Sequence, residues 1–550
     1  SDGKLLLNGT APQVLQFGET GHKTVEVETM ELDNDSGASF NTYGIIEIEK
    51  EYIPTSGKLV SDNRLRLRSS ASGTARIAQG SSSGGYITGN IVNRLYIPGG
   101  RRAFRFLAHC APDTKPLSAL NNVDITGVGG STNGFTTTQS NKPSAFYFDV
   151  DSADNSTAGN NPGWQAFTTA TTGKWEKGQA MRILIRGMSG EGLNGGSYTP
   201  SATTLFMFEQ LNQGDQTVTL TKGANTNFVL VGNPFASQVQ LNTVAKGSNV
   251  GANFYIWNPN QGVKGAYTSH QFSTNYVLPS WGAFVTTVSA NTNNTMVFEE
   301  ADKTDGTPAT QFKTTANNHI LKLAIGDTAY SWDNLLVNFD DDGYAVQDKL
   351  DAVKLNNPGL DFYIISKDGT DLSIDVRPMK DKEIIPLGID VWHYGGSGTF
   401  TMKAEELDLP TGATLVFHDK YLNKQVTITD KFSYTFTVDK ADSMSGGKNR
   451  FEIGVSNQPT SITNTASPTE EVQVYPNPTN GQLHLAYKNM KGGGKVSVYD
   501  ITGRVVYQTT INSIDGNGLV RISIPKATSG VYIVSLENSG HTITKRIIKR

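Results

Sequence analysis

The side chains of this chain that could carry acid–base, nucleophilic or metal chemistry are few and scattered. Its eight histidines stand at positions 22, 109, 270, 319, 393, 418, 484 and 541, and no two have the spacing that puts a zinc pair on one element. Cys110 is the only cysteine, so neither an internal disulfide nor a thiolate metal cluster can be built. His109 and Cys110 are neighbours, and adjacent residues of a strand point to opposite faces, which argues against a nucleophile–base couple. Neither a Gly-X-Ser-X-Gly elbow nor a P-loop occurs. Asn338-Phe-Asp340-Asp341-Asp342-Gly343 sets oxygens at alternate positions before a glycine, as calcium loops do, making Asp340 and Asp342 candidate calcium ligands. The EF-hand register fails, because its twelfth position is Lys349 and not a glutamate. Asp149-Val-Asp151-Ser-Ala-Asp154-Asn155 is a second loop of this kind. Glu299-Glu300 and Glu405-Glu406 are adjacent carboxylates that a strand would splay apart, so neither pair reads as a glycosidase dyad. Trp164, Trp175, Trp257 and Tyr255 could be stacking platforms for a sugar, with burial in a core as the competing use. These residues predict no catalytic constellation and no cofactor besides the candidate calcium.

Strands must position whatever chemistry there is. The chain has 550 residues, too many for one core. Fifty-seven glycines and only 18% charged residues suit many short strands joined by tight turns. Over 1–98, runs such as Leu5-Leu6-Leu7, Ile45-Ile46-Glu-Ile48, Leu65-Arg-Leu67 and Ile87-Thr-Gly-Asn-Ile91 alternate with Asn-Gly and Ser-Gly breaks. This pattern predicts the end rungs of a parallel β-helix, with a β-sandwich edge as the other reading. The chain starts Ser1-Asp2-Gly3, without methionine or signal peptide, and enters the pattern at once; the expectation is that further rungs stand upstream. Residues 99–300 are richer in aromatic strands (Phe104-Arg-Phe106, Phe254-Tyr-Ile256-Trp257), and 301–456 alternate again; each block predicts an antiparallel β-sandwich. Residues 457–470 lack a core pattern and read as a linker, leaving a small domain at 471–550. No run of eighteen apolar residues exists to span a membrane as a helix. The net charge of −4 divides unevenly: residues 471–550 carry ten Lys/Arg against four Asp/Glu, or +6, and the remainder 37 against 47, or −10. Ten scattered cations do not make a nucleic-acid footprint.

The last eighty residues carry three ordered motifs: Val474-Tyr475-Pro476-Asn477-Pro478-Thr479-Asn480-Gly481, then Val498-Tyr499-Asp500-Ile501-Thr502-Gly503-Arg504-Val505, then Ser529-Gly530-Val531-Tyr532, before the terminal Lys545-Arg-Ile-Ile-Lys549-Arg550. Pro-Asn-Pro, Asn-Gly and Asp-x-Thr-Gly are turn chemistry between alternating runs, and predict an antiparallel β-domain. The block closely resembles the type A C-terminal sorting domain of proteins exported by the type IX secretion system of Bacteroidota, and Gly232-Asn233-Pro234-Phe235 resembles a turn of the same exported proteins. The resemblance implies a small Ig-like sandwich, docking on the translocon and its outer-membrane shuttle protein, and attachment by a surface sortase. It places the recognised positions at Tyr475, Pro476, Asn477, Pro478, Gly481, Asp500, Gly503, Val505, Gly530, Tyr532, Lys545 and Lys549. The terminal strand is expected to add to a partner's sheet edge. For the body, an exported surface adhesin or stalk is the first expectation, and the accessory region of a secreted polysaccharide hydrolase or protease the second.

Overall fold

The computed structural model of the chain describes residues 3–17, 21, 23–152, 163–194, 197–261, 264–306, 319–456, 471–538 and 541–550. The linker expected over 457–470 lies outside the described residues, as do His22, Asp154 and Asn155. Among the described residues, regular structure is β-strand with short 3-10 turns and no α-helix. The chain forms two units, Ser1–Pro459 and Thr460–Arg550, called here body and tail.

The first runs of the body form parallel rungs. Lys4–Asn8 pairs in parallel with the end of Lys23–Asp33, which pairs with Gly44–Ser56, and the sheet continues through Leu65–Leu67 to Ile91–Ile97. A second parallel sheet runs from Gln13–Leu15 through Ala38–Phe40 and Leu59–Val60 to Ile87–Thr88. Leu7, Leu32, Ile46, Ile48, Leu65 and Leu67 belong to one buried cluster, so each rung is stabilised by its neighbours. The parallel register is that of a solenoid and excludes a sandwich edge. One corner requires glycine: Gly57 has φ +77°, and a Cβ there would lie 1.8 Å from the Asn34 carbonyl oxygen.

The sheet does not stop where the composition changes near residue 98. Thr203–Glu209 pairs antiparallel with Ile91–Ile97 along its whole length and covers the edge that the last rung would expose. Two four-stranded antiparallel sheets follow, one built on Ala103–Ala108 and Ala180–Ile185, the other on Phe228–Gly232, Ala283–Val288 and Val250–Asn258. Phe106 and Ala180 of the first share a buried cluster with Leu230, Tyr255 and Val285 of the second, the packing of a sandwich. Ile374 and Val376 from the following block enter the same cluster, so the body core is continuous across residue 300 too.

Residues 319–456 form one eleven-stranded sheet. Its two ends meet: Phe417 and Phe451 near one edge touch Tyr434 and Phe436 of the other, with ring centres 4.9 and 4.7 Å apart. The expectation of a purely antiparallel sandwich is corrected at one place, where Ser331–Phe339 pairs in parallel with Asp371–Arg377. Strand direction depends on the path of the connecting chain, which alternation of side chains does not encode.

In the tail, Gln482–Asp500 and Val505–Ser523 are long strands that pair antiparallel along their length, with three register shifts. Gln482–Asp500 takes Glu471–Tyr475 beside residues 484–488 and Gly530–Asn538 beside residues 494–500; His541–Lys549 then closes the order. Leu483, Leu485, Val496, Val498, Val534 and Ile547 lie in the tail's own buried core.

Candidate functional site

The tail brings its recognised residues together in two clusters. The first joins the Pro-Asn-Pro segment to the final strand. Proline has no N–H to give a ladder, so Pro476 and Pro478 cannot pair as strand residues. The Asn477 side chain replaces a peptide group: its Oδ1 accepts from the Ile548 N–H at 2.8 Å and its Nδ2 donates to the Arg546 carbonyl at 3.0 Å. Thr479 continues the pairing with its backbone, donating to the Ile548 carbonyl at 2.8 Å and accepting from the Arg550 N–H at 2.9 Å. Its buried hydroxyl accepts from the Gly481 N–H and donates to the Gln482 carbonyl. Gly481 has φ +106°, which a side chain would resist, and a Cβ there would lie 3.1 Å from Lys549 Cε. Lys549 itself is buried, Lys545 is exposed opposite Val534, and Tyr475 lies half exposed beside His484. The outer edge of the final strand is thus occupied from Arg546 to Arg550. This corrects the expectation that the terminal residues are free to extend a partner's sheet.

The second cluster joins the other two motifs. Asp500 closes a turn: Oδ1 accepts from the Thr502 N–H, the Thr502 hydroxyl and the Arg504 N–H, and Oδ2 accepts from Arg504 Nε at 3.1 Å. These donors, the Thr502 hydroxyl first, hold the Asp500 carboxyl down to about 2. Gly503 supplies the φ of +84° that completes the turn. Across the groove, the Tyr532 hydroxyl donates to the Thr528 carbonyl at 2.7 Å and fixes the approach to Gly530. Residues 500–506 and 523–532 line a groove of about 660 Å³ at this end of the domain, with Asp500, Val505, Gly530 and Tyr532 among them. Thr479, Ile501 and Lys526 belong to these clusters and are missed by the sequence reading; an ST-turn signal at Thr479 was available.

The candidates in the body are absorbed by its core. Cys110 and His109 are both buried and turned apart. Cys110 Sγ meets Glu209 Oε1 at 3.4 Å and accepts from Asn93 Nδ2 at 2.9 Å, while His109 Nε2 lies 3.0 Å from the Trp175 carbonyl oxygen. Burial pushes the Cys110 thiol well up and the His109 imidazole down, the opposite of what a nucleophile and its base require. Glu299 and Glu300 do not sit on a strand: they open a 3-10 turn through a capping box with Asp302. Buried Glu300 accepts from the Tyr86 hydroxyl at 2.7 Å and from the Gly80 and Gly214 N–H groups, and pairs with buried Lys303 at 2.8 Å. Glu405 pairs with Lys322 at 2.6 Å.

Trp175 and Tyr255 are buried, Trp164 and Trp257 partly so, and Trp257 donates from Nε1 to the Phe104 carbonyl and stacks on Phe106. Of the two uses weighed for these aromatics, packing into a core is the one the structure gives them. Among these residues and their kind, the exposed tryptophan is Trp392, at 46%, which the sequence reading did not single out. Asp340 Oδ1 is engaged by the Asp342 N–H and Asp149 Oδ1 by the Asp151 N–H, as in ordinary Asx turns. Among the described residues, no three His, Cys, Asp or Glu side chains come together as a metal-binding set.

Residues 473–550 match the family described as the secretion system C-terminal sorting domain. No curated protein matches the chain. Among solved structures, it is similar to the Parabacteroides merdae β-glucuronidase with glycerol in its active site, at 14% identity over 29% of this chain and 28% of that one, TM-score 0.13. It is also similar to the BSP domain of a biofilm associated protein (10% identity, 83% and 91% of the two chains, TM-score 0.13). A third similarity is to PorZ, an essential surface component of the type-IX secretion system of Porphyromonas gingivalis (11% identity, 63% and 61%, TM-score 0.12). The chain spans less than a third of the length of the β-glucuronidase. The tail is a type IX sorting domain, and the chain bearing it is exported across the outer membrane to the cell surface or released. No helix among the described residues is long and apolar enough to cross a membrane.

Proposed function

We propose that this chain is a non-enzymatic surface protein of the adhesin or stalk kind, carried out of the cell by its tail. The tail docks on the type IX translocon and its outer-membrane shuttle, and a surface sortase then releases or replaces it. The observation that carries the reading is the convergence of the recognised tail residues. Motifs whose residues stand up to 71 positions apart in sequence meet in two clusters on a domain with its own core. In the body, Cys110, His109 and Glu300 are spent on internal bonds.

The test is deletion of residues 471–550 in a bacterium that exports the full chain. The body keeps its own core, so it is expected to fold and to accumulate in the periplasm. Efficient export of the truncated chain would refute the reading.

A further inference from the structure

The groove of the tail has walls that are set before any partner arrives. Asp500 holds one turn through four hydrogen bonds, and Tyr532 ties Thr528 into the other. Its lip is apolar and open to solvent, with Ile501 80% exposed, Val505 47% and Val531 38%. Val531 continues this surface to Ile548, its exposed cross-strand partner. Soluble domains expose single apolar residues freely, but a contiguous row beside a preformed groove marks a contact surface.

Gly530 lines the groove. Its φ is not in the left-handed region, and a Cβ built on it would meet only Tyr532 Cε2, at 4.0 Å. The fold therefore has no need of glycine there, in contrast to Gly481 and Gly503, whose φ values require it. What a side chain at 530 would fill is the groove.

The rim is net positive. Arg504 and Lys526 are exposed, and the single acidic lining residue, Asp500, offsets only one of these charges, through its ion pair with Arg504. A partner matching this surface presents an apolar side chain flanked by carboxylates. We infer that the groove between residues 500–506 and 523–532 receives an acidic, apolar-tipped protein loop of the secretion machinery, and that Gly530 is kept small to admit it. This inference rests on the docking role proposed above and names the surface and the partner chemistry.

The experiment compares export of four full-length variants with the intact chain. Gly530→Phe is expected to keep the thermal unfolding of the purified protein unchanged and to lower export at least tenfold. The pair Arg504→Glu and Lys526→Glu is expected to lower export several-fold. Thr544→Phe, which places the same aromatic ring at an exposed position away from the groove, is expected to be exported like the intact chain. In intact cells, a photo-crosslinking residue at position 505 is expected to join the tail to an outer-membrane protein of the machinery. Wild-type export of Gly530→Phe, equal impairment by Thr544→Phe, or a crosslink to glycolipid alone would each overturn the inference. Where Gly530→Phe is exported normally while the 471–550 deletion is retained, the groove is refuted and the docking role stands. Export of the deletion refutes the docking role itself.

Discussion

Body and tail place the same chemical groups in opposite surroundings. In the body, several carboxylates go inward. Glu209 is fully buried with Oε2 unbonded, Glu300 anchors Lys303 and the Gly80 and Gly214 backbones, and Asp351 accepts from the Val376 N–H. In the tail, Asp500 closes a turn at the surface. Aromatic and aliphatic groups divide the same way, with Trp175 and Tyr255 in the body core and Ile501 and Val505 on the open lip of the tail groove. The body spends its chemistry on holding three blocks together. The tail, with a smaller core, buries Gly481, Tyr532 and Lys549 but keeps most of its recognised residues at the surface, where another protein can read them.

The sharpest way to break this contrast is to remove Lys303. Lys303→Met leaves Glu300 charged and buried without its cation, and is expected to destabilise the body by about 3–5 kcal/mol in chemical unfolding while leaving the tail transition unmoved. An unchanged body midpoint would mean that the buried cluster is not what joins the blocks.

The matching test in the tail is Asn477→Ala, which deletes two hydrogen bonds to the final strand. A loss of about 1–2 kcal/mol is expected, confined to the tail transition in scanning calorimetry.

The third test is pH dependence, whose sign differs between the two units. Burial pushes both Glu209 and Asp351 up to about 7, whereas an unfolded carboxyl titrates near 4. Between roughly pH 4 and 7 the folded body therefore binds more protons than the unfolded chain, so its stability falls as pH rises through that window. Asp500, held down to about 2, stabilises the tail above about pH 4 and loses that contribution only as pH falls towards 2. The body transition is thus expected at lower temperature at pH 8 than at pH 5.5, with the tail transition the same at both. Parallel movement of the two would remove the distinction.

Turn chemistry was the most legible part of the chain. Asp500-x-Thr-Gly503, Gly481 and the apolar runs of the solenoid each dictate local geometry, and the rungs and tail strands form where those signals stand. Exposure was not legible. Trp175 and Trp392 are alike in sequence terms, and only the packing of surrounding strands buries the first and leaves the second open. The Glu299-x-x-Asp302 capping box was not legible, because the sequence signature is Ser or Thr followed three residues on by Glu or Gln. The groove could not be read at all, since its walls stand at opposite ends of the long strand Val505–Ser523 and face each other only after Gly530–Asn538 pairs with the end of Gln482–Asp500.

The central claim is that the tail by itself is the export signal, and it is tested by moving the tail. Residues 460–550 form a unit with its own core, so they can be fused to the carboxyl end of a periplasmic reporter in a bacterium with a type IX system. The prediction is reporter at the cell surface or in the medium. A reporter that stays in the periplasm with its tail intact would contradict it.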